Sequence, residues 1–210
     1  MSKVLFVKAN DRPAEQAVSL KLYEAFLASY KEAHPNDTVV TELDLYKEEF
    51  PYVGVDIVIS GGFKGGQGFD LTEEEAKAVA VADKYLNQFL EADKVVFGFP
   101  LWNFTVPAVL LTYISYLSRA GKTFKYTADG PVGLVGGKKV VLLGARGCVY
   151  SSGPVAAVEM AVNYVASVLG FLGVTNLETV VIEGHNQFPD KAEEIITAGL
   201  EEAAKVANKF

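Results

Sequence analysis

The sequence predicts an α/β fold: a three-layer sandwich in which a five-stranded parallel sheet, ordered 2-1-3-4-5, is covered by helices on both faces. Three observations lead there. Short apolar, β-branched runs recur along the chain, and each is followed by a segment of helical period. The runs lack the in-out alternation of a half-solvated sheet, so they read as strands buried on both sides. No internal repeat, low-complexity tract or linker interrupts the pattern, so residues 1–210 read as one domain.

Lys3 to Lys8 (KVLFVK) is the first buried strand. A helical pattern follows from about Pro13 to Lys31, with Ala17, Leu20, Tyr23, Ala25 and Leu27 crowding one side. Pro13 suits the first turn of that helix, where a missing N–H costs nothing. Thr38 to Leu43 (TVVTEL) alternates and reads as the second strand. Lys47 to Asp70 has no clear period and holds Gly54, Gly61, Gly62, Gly65, Gly66 and Gly68. It reads as a long loop, and loops of that length in compact domains are functional or mobile.

Thr72 with Glu75 forms a capping-box pattern that opens a helix to about Ala92. Lys94 to Phe99 (KVVFGF) is the third strand. A loop over Pro100–Pro107 and a helix from Ala108 to Arg119 follow it. Lys138 to Gly144 (KKVVLLG) is the fourth strand, with a helix from about Pro154 to Leu169. Thr175 to Ile182 contains the fifth strand and Asp190 to Lys209 the final helix.

Bulk properties narrow the function. Apolar residues make up 50% of the chain and charged residues 21%, an ordinary globular balance. The formal net charge is −7 with no basic cluster, which excludes a nucleic-acid partner because phosphate neutralisation dominates that affinity. The single cysteine, Cys148, allows no intrachain disulfide and no thiolate metal cluster, which fits a reducing cytoplasm. The N-terminal MSKVLFVKAN has no long apolar targeting segment. No run approaches the roughly eighteen apolar residues of a membrane span.

In a sheet of this order, ligands bind past the carboxyl ends of the strands, beside the switch point between strands one and three. The loops to weigh are therefore Ala9–Ser19, Pro100–Val106 and Ala145–Gly153. The first joins a strand to a helix N-terminus, whose free N–H groups and positive dipole end hold phosphate. Ser19, Asn10 and Arg12 add donors, while Glu15 opposes an anion unless it points to solvent. Simple helix capping is the competing explanation. Neither a Walker loop nor a G-x-G-x-x-G follows the strand, which favours a mononucleotide over a tightly held dinucleotide.

The second loop, PLWNFTVP, sets Trp102, Asn103 and Phe104 between Pro100 and Pro107. Aromatics there can flank a planar ring while an amide bonds its polar edge, or they can simply fill the core. The third, GARGCVY, offers Gly144 and Gly147 for close backbone approach and Arg146 as ligand or solvated charge. Backbone N–H groups there can stabilise negative charge on a ring edge. Cys148 has no histidine partner in the pattern and reads as packing. His34 reads as a solvated helix cap, and His185 lies near the ligand edge, where it could touch a bound cofactor or substrate. No H-E-x-x-H, C-x-x-C or G-x-S-x-G occurs, so zinc and serine-nucleophile chemistry have no motif.

With these loops in place, the chain resembles the FMN-dependent NADH-azoreductases and NAD(P)H quinone reductases of the flavodoxin-like superfamily over essentially its full length. PLWNF at 100–104, SRAGKTFKYTADGPVGLVGGKK at 118–139, ARGCVY at 145–150 and LGFLGVT at 169–175 carry the resemblance. It implies a flavodoxin-like fold, bound FMN, NADH as co-substrate, quinones and azo compounds as acceptors, and a homodimer with its sites at the interface. It implies phosphate contacts from Asn10, Ala17, Val18 and Ser19, of which Ala17 and Val18 offer only backbone N–H groups. Leu101, Trp102, Asn103 and Phe104 would line the isoalloxazine, with an N–H near Asn103 facing the hydride-accepting nitrogen. Ala145, Arg146, Gly147 and Cys148 would contact the pyrimidine end. Tyr126 and Phe171 would enclose flavin and substrate.

The chemistry expected is a two-stage hydride relay centred on the flavin, with no side chain required as acid or base. Competing readings are a flavodoxin-type electron carrier, a non-enzymatic dimeric regulator on the same fold, and a hydrolase-like enzyme, the last lacking its nucleophile elbow.

Overall fold

The computed structural model describes residues 2–37, 39–54, 64 and 67–210. Part of the stretch expected to be a long loop, 55–63 with 65–66, lies outside the described residues, as does Thr38. In chain order the elements are β1 (Lys3–Lys8), α1 (Val18–Ala33), β2 (Val39–Asp44), α2 (Glu73–Glu91), β3 (Lys94–Pro100), α3 (Ala108–Leu117), β4 (Phe124–Thr127), β5 (Gly130–Gly133), β6 (Lys139–Arg146), α4 (Val162–Phe171), β7 (Asn176–Glu183) and α5 (Ala192–Lys209).

The main sheet is wholly parallel and runs β2-β1-β3-β6-β7. The pair β4-β5 forms a separate antiparallel hairpin, so the five sheet strands keep the expected order 2-1-3-4-5. Every residue of β3 is buried, as a central strand covered on both faces demands. Successive side chains divide between two cores. Leu5, Val7, Phe97, Phe99 and Leu142 meet α2, α3 and α4 through Phe89, Tyr113 and Val165. Val4, Phe6, Val96, Val141 and Leu143 meet α1 and α5 through Phe26, Tyr30 and Ala203. Each large side chain buried this way stabilises the fold by roughly 2 kcal/mol. Gly98 lets α1 lie close on β3: a Cβ there would sit 2.7 Å from Tyr23 Cδ2.

The capping box at α2 forms as the spacing predicts. Thr72 Oγ1 accepts from Glu75 N–H at 3.2 Å, and the Glu75 carboxylate accepts from Thr72 N–H at 3.0 Å. Two helix starts differ from the expectation. The helix expected from Pro13 begins only at Val18. Pro13 instead leads a short 3₁₀ turn, Ala14–Gln16, and Ala17 is extended (φ −128°, ψ 104°), which breaks the helical path. The helix expected from Pro154 begins at Val162, after a 3₁₀ turn at Ala156–Val158. The cause is Glu159, whose carboxylate accepts N–H groups of Ala161 (3.2 Å), Val162 (2.9 Å) and Asn163 (3.1 Å) and so sets the N-terminus. Among the described residues, no helix is long and apolar enough to cross a membrane.

The amino-terminal edge of the sheet carries a buried polar cluster. Lys94 Nζ lies 3.0 Å from Asp37 and 2.8 Å from the Tyr30 hydroxyl, which itself donates to Asp37. His34 caps the C-terminus of α1. It is half-buried and stacked on Tyr30 with ring centroids 4.4 Å apart, rather than solvated as expected.

Candidate functional site

A cavity of about 390 Å³ opens at the carboxyl edge of the sheet. It is bordered by all three loops singled out from the sequence and also by the turn after β7. Its size suits a cofactor rather than a small ion.

The first wall is the start of α1. Ala17 provides no side-chain cap, and the N–H groups of Val18 and Ser19 have no acceptor among the described residues. The N-terminus of α4, by contrast, is closed by Glu159. Buried Asn10 donates from Nδ2 to Ser19 Oγ at 2.9 Å, and its Oδ1 accepts the Arg12 N–H at 3.0 Å. With its oxygen accepting from Asn10, the Ser19 hydroxyl keeps its proton for an acceptor in the cavity. Arg12 and Gln16 complete this wall, and Glu15 is exposed. Uncapped amides, a hydroxyl and a guanidinium converge where an anion is favoured by the helix dipole.

The second wall is built by Pro100, Leu101 and half-buried Trp102. Trp102 and Thr105 exchange backbone hydrogen bonds of 2.8 and 3.0 Å across a two-residue turn. Both central residues, Asn103 (φ 49°) and Phe104 (φ 70°), lie in the left-handed region. Such a turn ordinarily takes Asn-Gly, so a phenylalanine there is strained. Neighbours hold it: Met160 N–H donates to the Phe104 carbonyl at 2.8 Å. The Asn103 N–H has no acceptor among the described residues. The Phe104 ring is 50% exposed, so it does not belong to the core.

The third wall is Ala145, Arg146 and Gly147, with His185 and Asn186 beside it. Arg146 is neither a solvated charge nor a lone ligand. It is buried, with Nε 2.8 Å from Glu183 and Nη1 3.3 Å from Glu159. Burial opposes ionisation of Glu183. The Ser151 hydroxyl, the Tyr150 N–H, Arg146 and the Ser151 N–H outweigh that and hold its carboxyl below the usual range. This network clamps the 147–151 loop onto the end of β7. Asn186 N–H donates to the Gly147 carbonyl at 2.9 Å, and a Cβ on Gly147 would lie 2.4 Å from Asn186 Nδ2. Any larger residue there would have to displace the Asn186 amide. Cys148 is exposed, which corrects the expectation that it packs inside.

Nine of the residues that the family resemblance assigns to the flavin thus meet in one cavity: Asn10, Ala17, Val18, Ser19, Leu101, Trp102, Ala145, Arg146 and Gly147, joined by Arg12 and His185. Asn103, Phe104 and Cys148 lie next to them in chain but do not line it. Tyr126 and Phe171 are also outside it. They gather around Phe124, with ring centroids 5.4 and 4.8 Å from it. Gln16 and Asn186 were missed, because neither stands in a pattern that distinguishes a ligand from an ordinary loop amide.

A family model described as "Flavodoxin-like fold" matches residues 2–207. An FMN-dependent NADH:quinone oxidoreductase of Bacillus thuringiensis subsp. konkukian is 84% identical, over 100% of both chains. This chain belongs to that flavodoxin-like quinone reductase and azoreductase family. A crystal structure of azoreductase from Bacillus anthracis str. Sterne superposes with a TM-score of 0.98 at 83% identity, covering 100% of both chains. A more distant family member, an FMN-dependent NADH-azoreductase of Bacillus anthracis str. Ames Ancestor solved in complex with FMN, gives a TM-score of 0.91. It is 30% identical and covers 100% of this chain and 99% of its own. Membership makes the chain an enzyme, and sets aside the regulator and hydrolase readings.

Proposed function

We propose that this protein is an FMN-dependent NADH:acceptor oxidoreductase that reduces quinones and reductively cleaves aromatic azo compounds by ping-pong hydride transfer. The observation that carries this reading is one cavity joining an uncapped helix N-terminus to an aromatic turn. The names of its close relatives point the same way.

FMN, when bound, supplies the hydride acceptance and donation, a chemistry no side chain here provides. The chain supplies position and selectivity. The side chains of Asn10, Arg12 and Ser19 with the N–H groups of Val18 and Ser19 would hold the phosphate end; the Ala17 N–H, expected to join them, is taken by the Ala14 carbonyl at 3.3 Å. Trp102 and the Asn103–Phe104 turn form the platform for the ring, and the free Asn103 N–H addresses its reactive edge. Ala145 to Cys148 offer backbone N–H groups to the pyrimidine end, on a loop held by Arg146. One stacking site would serve both NADH and the acceptor, so they would take turns on it. No acid–base side chain is required. Quinone reduction uses one cycle and full azo cleavage two.

The proposal includes a homodimer. Tyr126, 75% exposed, and Phe171, 42% exposed, form an aromatic surface around Phe124. That surface is well placed to be covered by a second copy, and across such an interface Tyr126 and Phe171 would enclose the partner's site. The whole chain acts as one catalytic domain, in the cytoplasm, where a lone exposed cysteine stays reduced.

The test is optical and kinetic. Purified protein reconstituted with FMN should show flavin absorption that bleaches on adding NADH. Menadione and methyl red should both sustain NADH oxidation, with parallel lines in double-reciprocal plots. A protein that binds FMN but is not bleached by NADH and sustains no NADH oxidation would be an electron carrier instead.

A further inference from the structure

We infer that His185 is a further cofactor-binding residue, donating a hydrogen bond from Nε2 to the phosphate of bound FMN; the inference rests on the function proposed above.

The loop carrying His185 is well fixed. Gly184 N–H donates to the Arg146 carbonyl at 3.2 Å, Phe188 N–H returns to the Gly184 carbonyl at 2.9 Å, and Asn186 N–H reaches the Gly147 carbonyl at 2.9 Å. The imidazole borders the same cavity as Arg12, Gln16, Val18 and Ser19.

Topology decides which end of the cofactor it meets. α1 follows β1 and α5 follows β7, so both helices begin at the carboxyl edge of the parallel sheet. They share one face, where Leu22, Phe26 and Tyr30 pack with Ala203, Ala207 and Phe210. The loop entering α5 therefore lies beside the N-terminus of α1, the phosphate end. The Trp102–Thr105 turn leads instead to α3, on the opposite face.

The ring's protonation gives it a donor. Nδ1 is buried without a hydrogen-bond partner. Burial also lowers the imidazole pKa, which favours the neutral form. A proton on Nδ1 would be a buried donor without an acceptor, so the proton belongs on Nε2. Nε2 is not shut off from solvent and has no partner among the described residues. Its N–H is therefore free of protein acceptors and available to an anion that enters the cavity. The phosphate is the charged acceptor of FMN, and riboflavin is the same molecule without it.

The experiment titrates flavin-free, full-length protein with FMN and with riboflavin, reading flavin fluorescence. His185→Leu should weaken FMN binding about tenfold, as expected for a lost charge-assisted bond. Its riboflavin affinity should stay within about twofold of the parent. His185→Gln, which keeps a side-chain donor, should recover most of the loss. FMN binding unchanged in His185→Leu would overturn the inference, and so would equal losses for both flavins or a His185→Gln variant as weak as His185→Leu. Parent protein that binds neither flavin would overturn the proposed function itself, a result distinct from these.

Discussion

Ser19 and Asn10 show how a pair of small side chains is set for a ligand. Asn10 gives its amide proton to Ser19 Oγ, which leaves the serine hydroxyl proton and two backbone N–H groups unsatisfied at the start of α1. Such groups persist at a helix end only where water or an anion answers them. Ser19→Ala should raise the FMN dissociation constant by an amount equivalent to roughly 1–3 kcal/mol. Titration of the flavin-free protein measures it, and unchanged affinity would remove the hydroxyl from the site. Asp37 makes the opposite case, a charge satisfied wholly within the protein. Burial opposes its ionisation, but Tyr30, the Ser2 N–H and Lys94 together hold the carboxyl far below the usual range. A carboxyl depressed in the folded state contributes stability above its unfolded pKa of about 3.9, and loses it as pH falls toward the folded value. Asp37→Asn should therefore cost about 3 kcal/mol at pH 7, since it strands a buried ammonium. The gap between the two proteins in urea unfolding should be smaller at pH 3 than at pH 7.

At the scale of elements, the Trp102–Thr105 turn stores strain that a plain connector would not need. Two consecutive non-glycine residues in the left-handed region cost about 1–3 kcal/mol each. Phe104→Gly should relieve part of this and raise the melting temperature by a few degrees. The same change should lower turnover with quinone, because the exposed ring is lost from the platform. Calorimetry and steady-state kinetics would check the two arms, and a variant both less stable and fully active would contradict the assignment. Asn103→Pro is a poor probe of the N–H alone. Proline holds φ near −65°, and Asn103 sits at 49°, so the turn itself would fail. The helix starts carry a related lesson. Thr72 and Glu75 lie three residues apart, so their capping box is legible in the chain. Glu159 caps α4 over a similar distance, but it is held in place by Arg146 at the end of β6, a contact that no local spacing rule announces.

For the whole molecule, the parallel sheet gathers loops that are more than a hundred residues apart in sequence into one cavity. Sedimentation velocity should find a dimer at micromolar concentration, and Tyr126→Lys in the exposed apolar surface should shift it toward monomer. A monomeric parent protein would leave Tyr126 and Phe171 without a role in the site. The sequence by itself determined the fold class, the strand order and the loops that face the ligand edge. Those follow from local periodicity, capping spacing and the handedness of crossovers, which short segments carry on their own. Only the tertiary structure decided that Arg146 is consumed by Glu159 and Glu183, that Cys148 is exposed, and that Gln16 and Asn186 stand at the cavity. These depend on which side chains from distant strands arrive at the same place, and a buried charge or an unpaired imidazole nitrogen is defined by its neighbours in space, not by its neighbours in the chain.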